Sequence, residues 1–123
     1  VGLHWQVDVT DPQPGHLVSQ AFCSALPVSY NRLTTPPRQW QRVATLILEA
    51  AYEATLSAGL LDAQAGNRNV VYLSSLGGGA FGNQRAWIHS AMRRAFQLAQ
   101  GWGLDVRIVS YGPPDAELKG LVT

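Results

Sequence analysis

Val70-Val71-Tyr72-Leu73-Ser74-Ser75-Leu76-Gly77-Gly78-Gly79-Ala80-Phe81-Gly82-Asn83 decides how this chain is read. Its first four residues form a nearly continuous apolar run, the pattern of a strand buried on both faces. The glycines then break the strand. Residues 84–100 carry the helical stripe Trp87 or Ile88, Ala91, Met92, Ala95, Phe96, and Leu98 or Ala99. The stretch therefore predicts strand, tight loop and helix. In such a unit, ligands collect at the carboxyl end of the strand, where the helix begins. The first N–H groups of that helix lack intrahelical partners and lie at the positive end of its dipole.

Three consecutive glycines permit positive φ and let a ligand approach the backbone with no Cβ in the way. Ser75, Gly77, Gly78, Gly79, Ala80, Phe81, Gly82 and Asn83 are accordingly the candidate anion-binding residues. Asn83 is expected to cap the helix, and Ser74 and Ser75 to add hydroxyl donors. The loop lacks the Lys-Ser/Thr pair of a Walker A sequence, and it does not match G-x-G-x-x-G with an acidic residue at the required distance. Both departures argue against ATP hydrolysis and dinucleotide-dependent dehydrogenation. A plain strand-to-helix turn is the alternative reading of the glycines.

On the amino-terminal side, Leu3, Trp5, Val7 and Val9 alternate with His4, Gln6 and Asp8, the period of a strand with one wet face. The Pro/Gly cluster at residues 10–15 stops it. Residues 18–23 read as a second strand, 25–30 as an irregular segment and 31–38 as a loop. Trp40, Val43, Ala44, Ile47, Leu48, Ala51, Ala54 and Ala58 mark a long amphipathic helix that starts near Thr35-Pro36-Pro37 and ends at Gly59. Residues 60–69 read as a polar connection. Beyond the second helix, Leu104, Val106 and Ile108 face inward in a last strand over residues 104–111, and the tail after Asp115 reads as a short helix or frayed end. This order predicts an α/β fold: a three-layer α/β/α domain with a mixed, mostly parallel sheet.

The 123 residues make one domain, with 46% hydrophobic and 14% charged residues and a net charge of +1. That charge gives no general attraction to nucleic acid or an anionic membrane, so anion binding has to be local. The low charge suits a chain that packs against another domain or copy, an upstream domain or homo-oligomer. No nearly apolar stretch reads as approaching the ~20 residues needed to span a bilayer, and no targeting segment is visible, so a cytoplasmic protein is expected. Cys23 stands alone, and His4, His16 and His89 are widely separated, so no metal site is expected.

The glycine loop in this setting resembles that of a macro domain, the ADP-ribose-binding α/β module. The similar stretch is residues 51–111, about half the chain, and its most specific motif is Gly77-Gly78-Gly79-Ala80-Phe81-Gly82-Asn83. The resemblance implies that Gly78, Gly79, Ala80 and Phe81 wrap a diphosphate, with Phe81 against the ribose. It also implies that Tyr111, at the end of the last strand, lines the adenine side. It implies no cofactor; the partner is ADP-ribose or a similar nucleotide.

Two registers fit the first half. In one, Asp8-Val9-Thr10 stands for the family's Gly-Asp-Ile-Thr segment and Ser19-Gln20-Ala21-Phe22 replaces its Asn-Ala-Ala-Asn motif, without the glycine-rich loop that normally follows. In the other, which we favour, residues 3–30 correspond to the middle of the domain and the adenine-recognising part lies upstream of Val1. The chain would then hold half of a site, within a longer protein.

Other residues receive plainer readings. Cys23 is expected to be a buried structural thiol, and His4, His16 and His89 to lie at the surface. Glu49 and Glu53 read as a solvated helix face, as do Arg85, Arg93 and Arg94. Asp8 is kept as a candidate ligand or catalytic carboxylate. The four tryptophans are dispersed and suit packing rather than base stacking. Three functions follow. The first is binding of ADP-ribose or a related nucleotide, with hydrolysis of an ADP-ribose linkage resting on positioning of a loop-bound water. The second is a non-catalytic structural or interaction domain. The third is a fragment of an enzyme acting on another phosphorylated compound.

Overall fold

The computed structural model describes every residue except Asp11, Gln13, Pro14, Arg32 and Thr123. The expected turn at residues 10–15 and loop at 31–38 therefore lie partly outside the described residues. The fold is mixed α/β, with strands β1 (Gly2–Asp8), β2 (Leu17–Phe22), β3 (Val70–Ser74) and β4 (Asp105–Val109). Its helices are α1 (Pro37–Gln64), α2 (Arg85–Leu98) and α3 (Ala116–Gly120), with a short 3-10 turn at Val28–Asn31. The strands form two separate two-stranded sheets: β1 with β2 antiparallel, and β3 with β4 parallel.

Helix α1 is the centre of the molecule and packs on α2, β2 and β3. Pro37 occupies its first turn, where a missing N–H costs nothing. Its buried face is Ala44, Leu48, Ala51, Tyr52, Leu56 and Ala58, whereas Val43 is exposed, so the expected stripe is rotated. The helix also runs past Gly59 to Gln64, taking in half of the expected polar connection. Gly59 is a packing position, not a stop: a Cβ there would lie 2.4 Å from Val71 Cγ2. At 28 residues, α1 is long and apolar enough by length and composition to cross a membrane, contrary to the sequence reading. Here it lies under both ribbons.

Val71 and Leu73 of β3 join Leu48, Tyr52, Leu56, Ile88 and Met92 in one core. Tyr72 between them is 62% exposed, with Arg107 stacked over its ring. The strand is thus buried on one face, not two, because α1 and α2 both contribute to the core on the Val71/Leu73 side. In β4, Val106 and Ile108 are half-buried and Asp105 and Arg107 exposed, which keeps the expected alternation in a strand shorter than residues 104–111.

The β1 alternation is broken by an irregularity between His4 and Val7, where Gln6 takes a φ of 46°. The break turns Gln6 inward, and its amide donates to Asp62 Oδ1 at 3.0 Å and to Ser19 Oγ at 3.2 Å. Leu3 and Trp5, expected inside, remain exposed. At the other end of the hairpin, the Cys23 thiol lies 3.9 Å from Ala51 O and 3.8 Å from Thr55 Oγ1.

Candidate functional site: the glycine loop

The loop at residues 75–83 leaves β3 and enters α2, and its shape follows from a few fixed points. The buried Tyr52 hydroxyl donates to Ser74 O at 2.8 Å and accepts from Leu76 N–H at 3.0 Å, which sets the exit from the strand. Burial pushes the Tyr52 phenol up to about 12, with the Leu76 N–H acting against that rise. Gly77 has φ 74°, and a Cβ there would stand 2.3 Å from Ala25 Cβ and 2.7 Å from Asn83 Nδ2. At this position only glycine supplies both the backbone angle and the close approach. Gly77 O then accepts from Asn83 N–H at 3.0 Å, closing the loop on itself.

Asn83 is buried and its side chain turns inward. Its Nδ2 donates to Leu26 O at 2.8 Å and to Gly77 O at 3.3 Å. Asn83 is therefore not the cap of α2, as the sequence suggested. The cap position is Gln84, with no side-chain cap bond; the Nδ2 bonds hold the Asn83 side chain inward, and its Oδ1, the atom that would cap, is buried without a hydrogen-bond partner among the described residues. That segment braces the loop a second time: Ser29 N–H donates to Phe81 O at 2.9 Å, the Ser29 hydroxyl bonds Ala80 O, and Tyr30 meets Phe81 edge-on at 5.7 Å.

What remains outward is a short arc. Gly79 and Ala80 are exposed, and a Cβ at Gly79 would meet nothing within 4 Å. Among the described residues, the N–H groups of Gly79, Ala80 and Phe81 have no hydrogen-bond partner. The adjoining first turn of α2 is uncapped. Unpaired amides at a helix start can take an anion. Ser74 and Ser75 are exposed beside them.

The other expected site residue, Tyr111, is fully exposed two residues beyond β4. Ser74 pairs with Val109, so Tyr111 and the loop lie at the same end of the parallel ribbon. The site residues thus divide: Gly77, Gly82 and Asn83 shape the loop, Ser75, Gly78, Gly79 and Ala80 are exposed, and Phe81 is half-buried. Two surface clefts lie elsewhere. One of about 330 Å³ is bordered by Phe96, Leu104, Ile108 and Val122, and one of about 1190 Å³ lies between β2 and β3.

Sequence reasoning missed two parts of this framework. Tyr52 follows Leu48 and precedes Leu56 at four-residue steps, a spacing that could have placed it on the buried face. The buried His89, expected at the surface, has Nδ1 3.0 Å from Glu117 Oε2; with Arg85 3.3 Å from Asp115 it ties α3 to α2. Glu49 and Glu53 are not merely solvated either, since Arg94 of α2 reaches Glu53 at 2.6 Å and Glu49 at 3.9 Å. Asp8, exposed on β1, pairs with Leu17 through the ribbon but its carboxylate has no hydrogen-bond or ion-pair partner among the described residues, and no His/Cys/Asp/Glu group among those residues could hold a metal ion. No family model, no curated protein and no solved structure matches this chain.

Proposed function

We propose that the chain binds ADP-ribose or a related nucleotide diphosphate through its glycine loop, as part of a three-layer, macro-like α/β/α domain. The observation that carries this reading is the arc Gly79-Ala80-Phe81. Its amides are unpartnered, they adjoin the uncapped start of α2, and nothing fills the space beside Gly79. Diphosphate oxygens are strong acceptors and suit such a row of donors. Phe81, braced by Tyr30 and Ser29, offers a fixed ring edge for a ribose. The common end of β3 and β4 is also where ligands gather in parallel sheets, which gives Tyr111 a place near the same ligand.

The loop contains no titratable side chain, so the proposal is for binding, and any hydrolysis would rest on a positioned water. Calorimetric titration with ADP-ribose, ADP and inorganic phosphate tests it. Heat is expected with ADP-ribose and ADP, and Gly79→Glu should abolish it by placing a carboxylate against the amides. Gly79→Ala should fold normally, since its Cβ meets nothing. Heat that survives Gly79→Glu would remove the loop from the site, and no heat with any of the three compounds would end the ligand reading.

A ligand-free interaction domain is the second reading. The internal bonding of Gly77 and Asn83 favours it, because those residues are explained by the turn alone.

A further inference from the structure

We infer that the outer face of α1 docks a second copy of this chain, which lays its own α1 antiparallel on it about a two-fold axis level with Tyr52. The inference is independent of the ligand reading.

The spacing of side chains comes first. Val43, Ile47, Ala50, Ala54, Ser57 and Leu61 follow one another at alternating steps of four and three residues. That is the repeat of a seam between two packed helices. Tyr52 is on the buried face, and Ala50 and Ala54, two residues to either side of it, lie about 200° around the helix. The seam is therefore opposite the core. Val43 and Leu61 are 49% and 57% exposed, and Leu46, flanking the seam, is 65% exposed. Sequence periodicity placed Val43, Ile47 and Ala54 in the core, but the fold leaves Val43 exposed and Ile47 and Ala54 only half-buried.

Charge comes second. The outward side of a surface helix ordinarily carries charged and polar residues. Helix α1 has five charged residues, Arg38, Arg42, Glu49, Glu53 and Asp62, and none is on the seam. The first four lie to one flank, where Arg94 pairs with both glutamates, and Asp62 accepts from Gln6 and Asn67. Covering the seam thus buries no charge on it.

Symmetry selects the occupant. Val43 and Leu61 stand nine residues to either side of Tyr52, Ile47 and Ser57 five, and Ala50 and Ala54 two. A two-fold axis at that level sets Val43 on the partner's Leu61, Ile47 on the partner's Ser57 and Ala50 on the partner's Ala54. The smallest pair falls at the centre, where it lets the helix axes approach to about 8 Å. A parallel copy would set Ile47 on its equivalent and Ser57 on its equivalent, wide at one layer and hydroxyl against hydroxyl at another. The antiparallel arrangement evens the layers and opposes the two helix dipoles.

Size sets the strength. The seam is about 27 Å long on a helix about 10 Å wide. That is the small end of specific interfaces, so a dissociation constant of about 100 μM is expected.

Sedimentation equilibrium of the 123-residue chain from about 10 μM to 1 mM should show a monomer–dimer equilibrium. Ala50 is exposed, so Ala50→Glu should leave the far-UV circular dichroism unchanged while weakening association by about tenfold or more. In a Cys23→Ser background, oxidation of mixed Val43→Cys and Leu61→Cys chains should cross-link one to the other, and neither chain to itself. A chain that stays monomeric at the top concentration, a dimer untouched by Ala50→Glu, or a Val43→Cys chain that cross-links to itself would overturn the proposal. Binding of the monomer to phosphatidylcholine vesicles, lost in Ala50→Glu, would give the face to lipid and overturn it equally.

Discussion

Replacing Gly77 by alanine tests the reasoning about the loop most directly. The left-handed backbone angle of 74° costs a residue with a Cβ about 1–2 kcal/mol. The added methyl would stand 2.3 Å from Ala25 Cβ, far inside the ~3.5–4.0 Å at which carbons pack, and 2.7 Å from Asn83 Nδ2. Such crowding costs about 1–3 kcal/mol, because Ala25 is buried and cannot move freely. Against this, alanine narrows the unfolded ensemble by about 0.4–1 kcal/mol. The net loss is about 3 kcal/mol, a fall of roughly 10 °C in Tm for a domain of this size. Urea unfolding followed by far-UV circular dichroism measures it, with Gly79→Ala as the control, where nothing opposes the methyl. A Gly77→Ala loss below about 0.5 kcal/mol, or an equal loss at Gly79, would refute the account of which glycine shapes the loop.

Tyr52→Phe should cost about 1–2 kcal/mol through its bonds to Ser74 O and Leu76 N–H, read from chemical denaturation. The same variant should flatten an alkaline transition. The folded phenol is raised from 10.0 to about 12, so its stabilising effect is complete below pH 10 and lost as pH climbs through about 12. Gly59→Ala should destabilise the fold by about 1–2 kcal/mol despite alanine's better helix propensity, because its Cβ meets Val71 Cγ2 at 2.4 Å. Combining it with Val71→Ala should cost less than the sum of the two single changes, and simple additivity in that double-mutant cycle would count against the contact.

Local signals in the chain were enough for most elements. The apolar period of residues 85–98, the glycines after Leu73, the alternation of β4 and the prolines before α1 each act through covalent geometry or a helical or strand repeat, which neighbours in sequence decide. The position of the candidate loop between β3 and α2 was legible for the same reason.

Long-range partners decided the rest. Gly59 looks like a helix stop until Val71, twelve residues on, occupies its missing side chain. Asn83 has the chemistry of a cap, but Leu26 O, far away in sequence, captures its amide, and His89 is buried because α3 folds back to place Glu117 beside it. Periodicity cannot report such competition, since each outcome depends on which distant group arrives. The sequence by itself therefore determined the strand-loop-helix unit and the glycines that let its backbone turn. Only the tertiary structure decided which glycine is a packing contact, which is a strained turn, and which faces open space with its N–H unpaired. The reason is physical: backbone propensity is local, but steric room and hydrogen-bond partners come from the whole fold.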